Sequence, residues 1–198
     1  MLYPAARSPA LPYVTIVPYS CEICKGAVIH LTGFFQKNHD FLIEIFAELY
    51  KINPNVRLLL VGTGEKEKEL RLKVEKKGLH EVVLFLGNRN DVNEIYQAMD
   101  VFVMPSFFEG IPVTGIEAQF SGLTCLFSDQ VPKEVDFSGN CKFIPLSEGA
   151  KKWAEQVMKE GNLEERLQKS QMVNGSNYNI QNAHTILEEY YRKLKEKI

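Results

Sequence analysis

Two glutamates eight positions apart, Glu109 and Glu117, flank a Gly-Ile-Pro in the stretch PSFFEGIPVTGIEAQFSG, residues 105–122. Proline suits the first position of a helix, where its missing N–H costs nothing, so Pro112 predicts a helix start. The free N–H groups near Gly110, Ile111, Val113 and Thr114 would then gather at the positive end of the helix dipole, a site suited to phosphate oxygens. Glu117 falls about one turn into that helix. A carboxylate there can accept hydrogen bonds from a ribose diol, the role acids play in dinucleotide-binding folds. Glu109 lies in the preceding loop, nearer any group attached to the terminal phosphate. Favourable placement of acids at a helix N-terminus accounts for Glu109 by itself, but Glu117 lies beyond the turn where that effect acts.

Such residues need a scaffold that delivers them to one edge. From Asn38 onward, helix and strand signals alternate with short connections. His39–Ile52 carries apolar residues at helical spacing and is stopped by Asn53-Pro54. VRLLLVG (56–62), VVLFLG (82–87), DVFVMPS (100–106), LTCLFSD (123–129) and KFIPL (142–146) are short apolar runs typical of strands buried on both faces of a parallel sheet. Between them, 65–78 reads as a solvated helix stopped by Gly78, and Asn90 or Asp91 caps a short helix through Met99. The alternation predicts an α/β fold, a Rossmann-like doubly wound parallel sheet with helices on both faces, followed by a helical C-terminal extension from about Asn162. In that extension a solvated helix would pack through Leu187, Tyr191 and Leu194.

In open sheets of this kind ligands bind beyond the carboxyl ends of the strands. Gly33, Gly62-Thr63-Gly64, Gly87-Asn88-Arg89 and Pro105-Ser106 fall at those ends. Gly64 allows close backbone approach to a ligand, or serves only its turn. Phe107 and Phe108 either line the pocket or pack beneath the loop.

The chain of 198 residues can bury one good core, and its near-balanced charge of −2 argues against general nucleic-acid binding. No apolar run approaches a membrane span and no signal-peptide pattern opens the sequence, so the expected location is cytoplasmic. Any attachment at the inner face of the membrane would come through a partner domain. Cys21 and Cys24 form a C-x-x-C without a second ligand pair at zinc-site spacing, and reduced thiols are the simpler reading, so no metal is expected. Residues 1–26 are proline-punctuated, with one short strand candidate at Tyr13–Val17, and read as an irregular segment, a linker, or a strand that pairs late. The domain is expected over 27–198.

The order of motifs carries a resemblance. PSFFEGIPVTGIEAQFSG is similar to the E-x7-E signature of the retaining glycosyltransferases of family four. QKNHDFLIEIFAEL, NVRLLLVGTGEKEKEL, VLFLGNRNDVNEIYQAMDVFVMPSFFEG and CLFSDQVPKEV match that family in the same order, from about Val28 to Leu146. The resemblance is greatest to bacterial enzymes of capsular, exopolysaccharide or lipopolysaccharide assembly. It implies one half of a GT-B fold, the C-terminal domain that binds a nucleotide-sugar, most simply a UDP-sugar. By resemblance, Glu109 would contact the donor sugar, Glu117 the ribose, and the Gly110–Val113 backbone the diphosphate. Lys37 would neutralise phosphate charge as the leaving group departs, and the Gly87–Arg89 turn would lie against the base. No bound metal or other cofactor is implied.

Members usually carry a Gly-Arg shortly before the Gln-Lys-Asn, the arginine being a second phosphate ligand. No arginine stands between Val28 and Lys37 here. The glycan or lipid-linked acceptor would be read by an N-terminal domain or a partner chain, and without it the chain is expected to be inactive. The alternatives are the donor subunit of a split enzyme and a nucleotide-binding or interaction module without catalysis.

Overall fold

The structure, a computed structural model, describes residues 35–160, the backbone of 26–32, and Arg192. The strand expected at Tyr13–Val17, the C-x-x-C pair, Gly33 and the helices expected after Asn162 lie outside these residues.

Among the described residues, six strands and five α-helices between Gly26 and Lys159 follow one another in strict alternation up to the last two strands. They are β1 (Gly26–Thr32), α1 (His39–Ile52), β2 (Arg57–Thr63), α2 (Glu67–Lys76), β3 (Val83–Gly87) and α3 (Val92–Gln97). β4 (Val101–Met104), α4 (Val113–Phe120), β5 (Thr124–Ser128), β6 (Cys141–Ile144) and α5 (Gly149–Lys159) complete the series. All pairings are parallel, in the order β3-β2-β1-β4-β5-β6. This is the doubly wound order, with a topological switch between β1 and β4.

Side-chain alternation along each strand divides the core in two. Leu58 and Leu60 of β2, Val101 and Val103 of β4, and Leu126 of β5 pack on one side with α1, α2 and α5. Phe102 and Met104 of β4, with Cys125 and Phe127 of β5, pack on the other with α3 and α4. β4 and β5 have no exposed residue, which is why they read as unbroken apolar runs rather than as alternating ones. Burying a side chain of Leu or Phe size contributes about 1.5–3 kcal/mol, so each layer holds its helices firmly.

The central strand is β1, of which the sequence pattern marks only an expected carboxyl end, at Gly33, without bounding the strand before it. Seven of its residues pair with β2, from Gly26↔Arg57 to Thr32↔Thr63, and two pair with β4. The seam it closes with β4 sets Lys37, just beyond β1, beside the loop after β4.

Candidate functional site

α4 begins at Val113, one residue later than the proline rule predicts. Pro112 is its N-cap, with φ −73° and ψ 111°. Its ring fixes a φ compatible with helix, but its ψ is extended, and its carbonyl accepts the first helical bonds from Gly115 (3.0 Å) and Ile116 (3.2 Å). The N–H groups of Val113 and Thr114 precede those bonds and are the first-turn donors. Gly110, Ile111 and Val113 are exposed, and Pro112 is buried. The Thr114 Oγ1 is buried and finds no hydrogen-bond partner among the described residues.

Glu109 sits at the mouth of this helix and is almost wholly enclosed. Lys37 Nζ donates to its Oε1 at 2.6 Å, and the two side chains are 12% and 6% exposed respectively. Ser106 Oγ donates to the same oxygen at 2.8 Å, and Gln36 Nε2 donates to Oε2 at 3.0 Å. Ser106 is itself held from below, its carbonyl accepting a hydrogen bond from the buried Ser128 Oγ of β5. A 3-10 turn, Phe35–Lys37, carries the two nitrogen donors. It is clipped to the loop after β4 by the Phe107 N–H, which donates to the Gln36 carbonyl at 2.8 Å. The Phe35 and Phe107 rings stack at 5.0 Å beside the clip. At the next residue the chain turns sharply: Asn38 takes the left-handed conformation, φ 53°, before α1 starts.

Glu117 lies eight positions on, exposed on α4. One oxygen is oriented by the Tyr96 hydroxyl, which lies 3.2 Å from Glu117 Oε2 and 3.3 Å from the Thr114 carbonyl. Burial and then the neighbouring carboxylate push the Tyr96 phenol well above its ordinary pKa, so it stays a donor. The second carboxylate oxygen is open to a ligand.

The ends of β2 and β3 meet through Thr63 Oγ1 and Asn88 Oδ1 at 3.4 Å. The glycines that need left-handed freedom there are Gly62 (φ 106°) and Gly87 (φ 62°), not Gly64. Gly64 instead supplies its carbonyl to Glu67 N–H at the entry to α2. Arg89 is tied to Asp91, Nε to Oδ1 at 2.8 Å. That pairing holds the Asp91 carboxyl below its usual pKa. It also explains why Asp91, although it is the N-cap of α3, makes no side-chain capping bond.

The structure therefore brings Lys37, Glu109 and the Gly110–Thr114 backbone together at the switch point. It sets Glu117 further along α4, and Asn88 and Arg89 just past the end of the edge strand β3, two strands from β1. Gln36 and Tyr96 are the site residues that sequence reasoning missed. Gln36 adjoins Lys37 in the Gln-Lys-Asn motif, while Tyr96 reads as an ordinary aromatic on the buried side of α3. Phe35, Phe107, Phe108, Ile111 and Val113 form an exposed apolar rim around the site. Among the described residues no helix is long and apolar enough to cross a membrane, and no cluster of His, Cys, Asp or Glu could hold a metal ion.

Fold and rim together define a doubly wound α/β domain whose polar residues converge on the crevice beyond its strand ends. The chain belongs to the family described as glycosyl transferases group 1, whose sequence profile matches residues 26–159. The glycosyltransferase-family protein EpsF of Bacillus subtilis (strain 168) is 38% identical over 130 residues, covering 65% of this chain and 34% of EpsF. A UDP-Gal:alpha-D-GlcNAc-diphosphoundecaprenol alpha-1,3-galactosyltransferase of Escherichia coli is 37% identical over 97 residues, covering 48% of this chain and 25% of that enzyme. The chain thus spans about a third or less of the length of these two relatives. Among solved structures, the pneumococcal O-GlcNAc transferase GtfA in complex with UDP and GlcNAc superposes with a TM-score of 0.70. The identity is 22%, over 88% of this chain and 36% of GtfA. The architecture is one Rossmann-like half of a GT-B fold.

Proposed function

We propose that this domain binds the nucleotide-sugar donor of a retaining glycosyltransferase, with a UDP-sugar as donor. The sugar passes to a glycan or lipid-linked acceptor in surface polysaccharide assembly. The observation that carries this reading is the meeting of Lys37 and Glu109 at the mouth of α4, with Glu117 eight residues further on. The UDP-Gal and UDP in the names of the Escherichia coli relative and the GtfA complex support the choice of nucleotide. The acceptor is read by another domain or a partner chain.

On this reading the first-turn N–H groups of α4 and the Lys37 ammonium hold the diphosphate, and Glu117 accepts hydrogen bonds from the ribose hydroxyls. Glu109 accepts from hydroxyls of the donor sugar. The C1–O bond to the diphosphate breaks, negative charge grows on the leaving phosphate, and Lys37 with the helix dipole stabilises it. Single electrostatic stabilisers of this type are worth about 2.7–4 kcal/mol, and on this reading they take the part a bound metal plays elsewhere. The acceptor hydroxyl attacks from the face that the phosphate leaves, gives its proton to that phosphate, and the anomeric configuration is retained.

A second reading, nucleotide binding without transfer, is favoured by the absence of an arginine between Val28 and Lys37. Calorimetric titration of the full chain with UDP, GDP and ADP, repeated on Glu117→Ala, tests the common ground of both. UDP should bind, and the variant should bind it about tenfold more weakly, the equivalent of one lost charged hydrogen bond. Absence of nucleotide binding at millimolar concentration would remove the reading. Hydrolysis of bound UDP-sugar then separates transferase from binding module.

A further inference from the structure

The Glu109 carboxylate is already satisfied before any ligand arrives. Its Oε1 accepts from Lys37 Nζ and Ser106 Oγ, its Oε2 accepts from Gln36 Nε2, and its side chain is 6% exposed. By the same contact, the Lys37 charge is cancelled. A diphosphate that recruits Lys37 either draws it away from Glu109 or shares its remaining N–H donors, and in both cases the enclosed carboxylate loses part of its counter-charge next to an incoming anion. Separating a buried pair is costly chiefly because of the charge left behind. The turn that carries Lys37 cannot simply swing aside, since the Phe107 N–H to Gln36 carbonyl bond and the Phe35–Phe107 stack fasten it. A sugar on the diphosphate changes this balance, because its hydroxyls donate to Glu109 at the moment Lys37 leaves.

We propose that the Lys37–Glu109 ion pair is a specificity element, favouring a nucleotide diphosphate that still carries its sugar over the bare nucleotide diphosphate left after transfer. The inference rests on the donor-binding reading above and adds to it a reason for product release. Once the sugar has gone, Glu109 reclaims Lys37, and the cation that held the diphosphate is withdrawn. Gln36 acts as a positioning residue, keeping the carboxylate aimed at the cation.

The test is titration of the full chain and its Glu109→Gln variant with UDP, inorganic pyrophosphate and a panel of UDP-hexoses without acceptor. Glu109→Gln should bind UDP and pyrophosphate about tenfold more tightly than the unmodified chain. UDP-hexoses should gain less than about twofold or weaken, since the variant also loses their hydroxyl contact. Equal or weaker binding of UDP and pyrophosphate by the variant overturns the inference. So does an equal gain for UDP and UDP-hexoses, which would mean general relief of repulsion rather than exchange within the pair. If Glu109→Gln does not fold by circular dichroism, Glu109→Ala takes its place with the same expectations. Glu117→Ala keeps the two readings apart. Weaker UDP binding there, with no gain in Glu109→Gln, refutes only this inference, whereas no UDP binding by any form refutes the donor reading and this inference with it.

Discussion

Replacing Gly115 with alanine asks whether α4 sits where it does because one residue has no side chain. A Cβ at this position would lie 2.8 Å from Phe127 Cζ, 3.0 Å from Phe127 Cε1 and 3.4 Å from Pro112 Cγ. Ordinary carbon contacts are about 3.5–4.0 Å, so the ring or the helix must shift by up to roughly 1 Å. The ring has little freedom. Phe127 is fully buried, with Phe102 at 6.1 Å and Phe143 at 5.9 Å between ring centres. Overpacking of this kind costs about 1–3 kcal/mol, and alanine recovers about 1 kcal/mol of helix propensity. The net expectation is a loss of about 1 kcal/mol, a fall of about 2–4 °C in Tm for a chain of this size. Lifting α4 also moves the Val113 and Thr114 N–H groups, so UDP affinity should fall in parallel. Thermal unfolding followed by circular dichroism measures the first effect and titration the second. Gly110→Ala is the reference, because nothing lies within 4 Å of its added Cβ. A Gly115→Ala chain that melts as high as the Gly110→Ala chain would refute the packing argument.

The enclosed ion pair and a surface charge cluster give two further expectations. Lys37→Met should lose about 3 kcal/mol of stability by stranding Glu109, and adding Glu109→Gln should restore most of it. Urea unfolding of the single and double variants measures this, and strictly additive effects would contradict it. Burial raises the Glu44 pKa, but hydrogen bonds from Lys77 (2.7 Å) and Lys73 (3.0 Å) outweigh it, so the folded-state value lies below 4.5. The native state then holds fewer protons than the unfolded one. Its contribution is present above pH 4.5 and is lost as the pH falls through the lower folded value. Glu44→Gln should therefore flatten the acid limb of Tm against pH, and parallel curves for the two proteins would count against the cluster.

Local pattern made most of the scaffold legible. α1 runs from His39 to Ile52, the limits that its apolar spacing and Asn53-Pro54 predict, and β2 through β6 fall within a residue or two of their apolar runs. β1 was legible only as a strand end at Gly33, because the extent of GAVIHLT is set by partners on both sides, a tertiary property no short window contains. The types of Glu109 and Glu117 and the Gly-Ile-Pro turn pointed to the mouth of α4 from residue chemistry, whereas the E-x7-E signature came through family resemblance. Lys37 came only through family resemblance, since nothing in its local sequence points at a residue 72 positions away. Tyr96 could not be distinguished from a core aromatic, because its hydroxyl's acidic partner lies on another helix. Arg89 shows the converse. Its partner, Asp91, was two residues away and visible throughout, but pairing geometry cannot be read from adjacency.

The β1–β4 seam also sets the order in which the molecule can come into being. During synthesis β1, β2 and β3 can pair as soon as they emerge, while the other edge of β1 waits for β4, whose contacts with Ala27 and Val28 come from Val101 and Phe102. Contacts so distant along the chain close late, and an open strand edge invites pairing with other chains in the meantime. Lys37 follows β1 and Glu109 follows β4, so their junction exists only once that seam has shut. A nascent chain folded as far as β3 has half a sheet and no site, and nucleotide binding would serve as a readout of that closure.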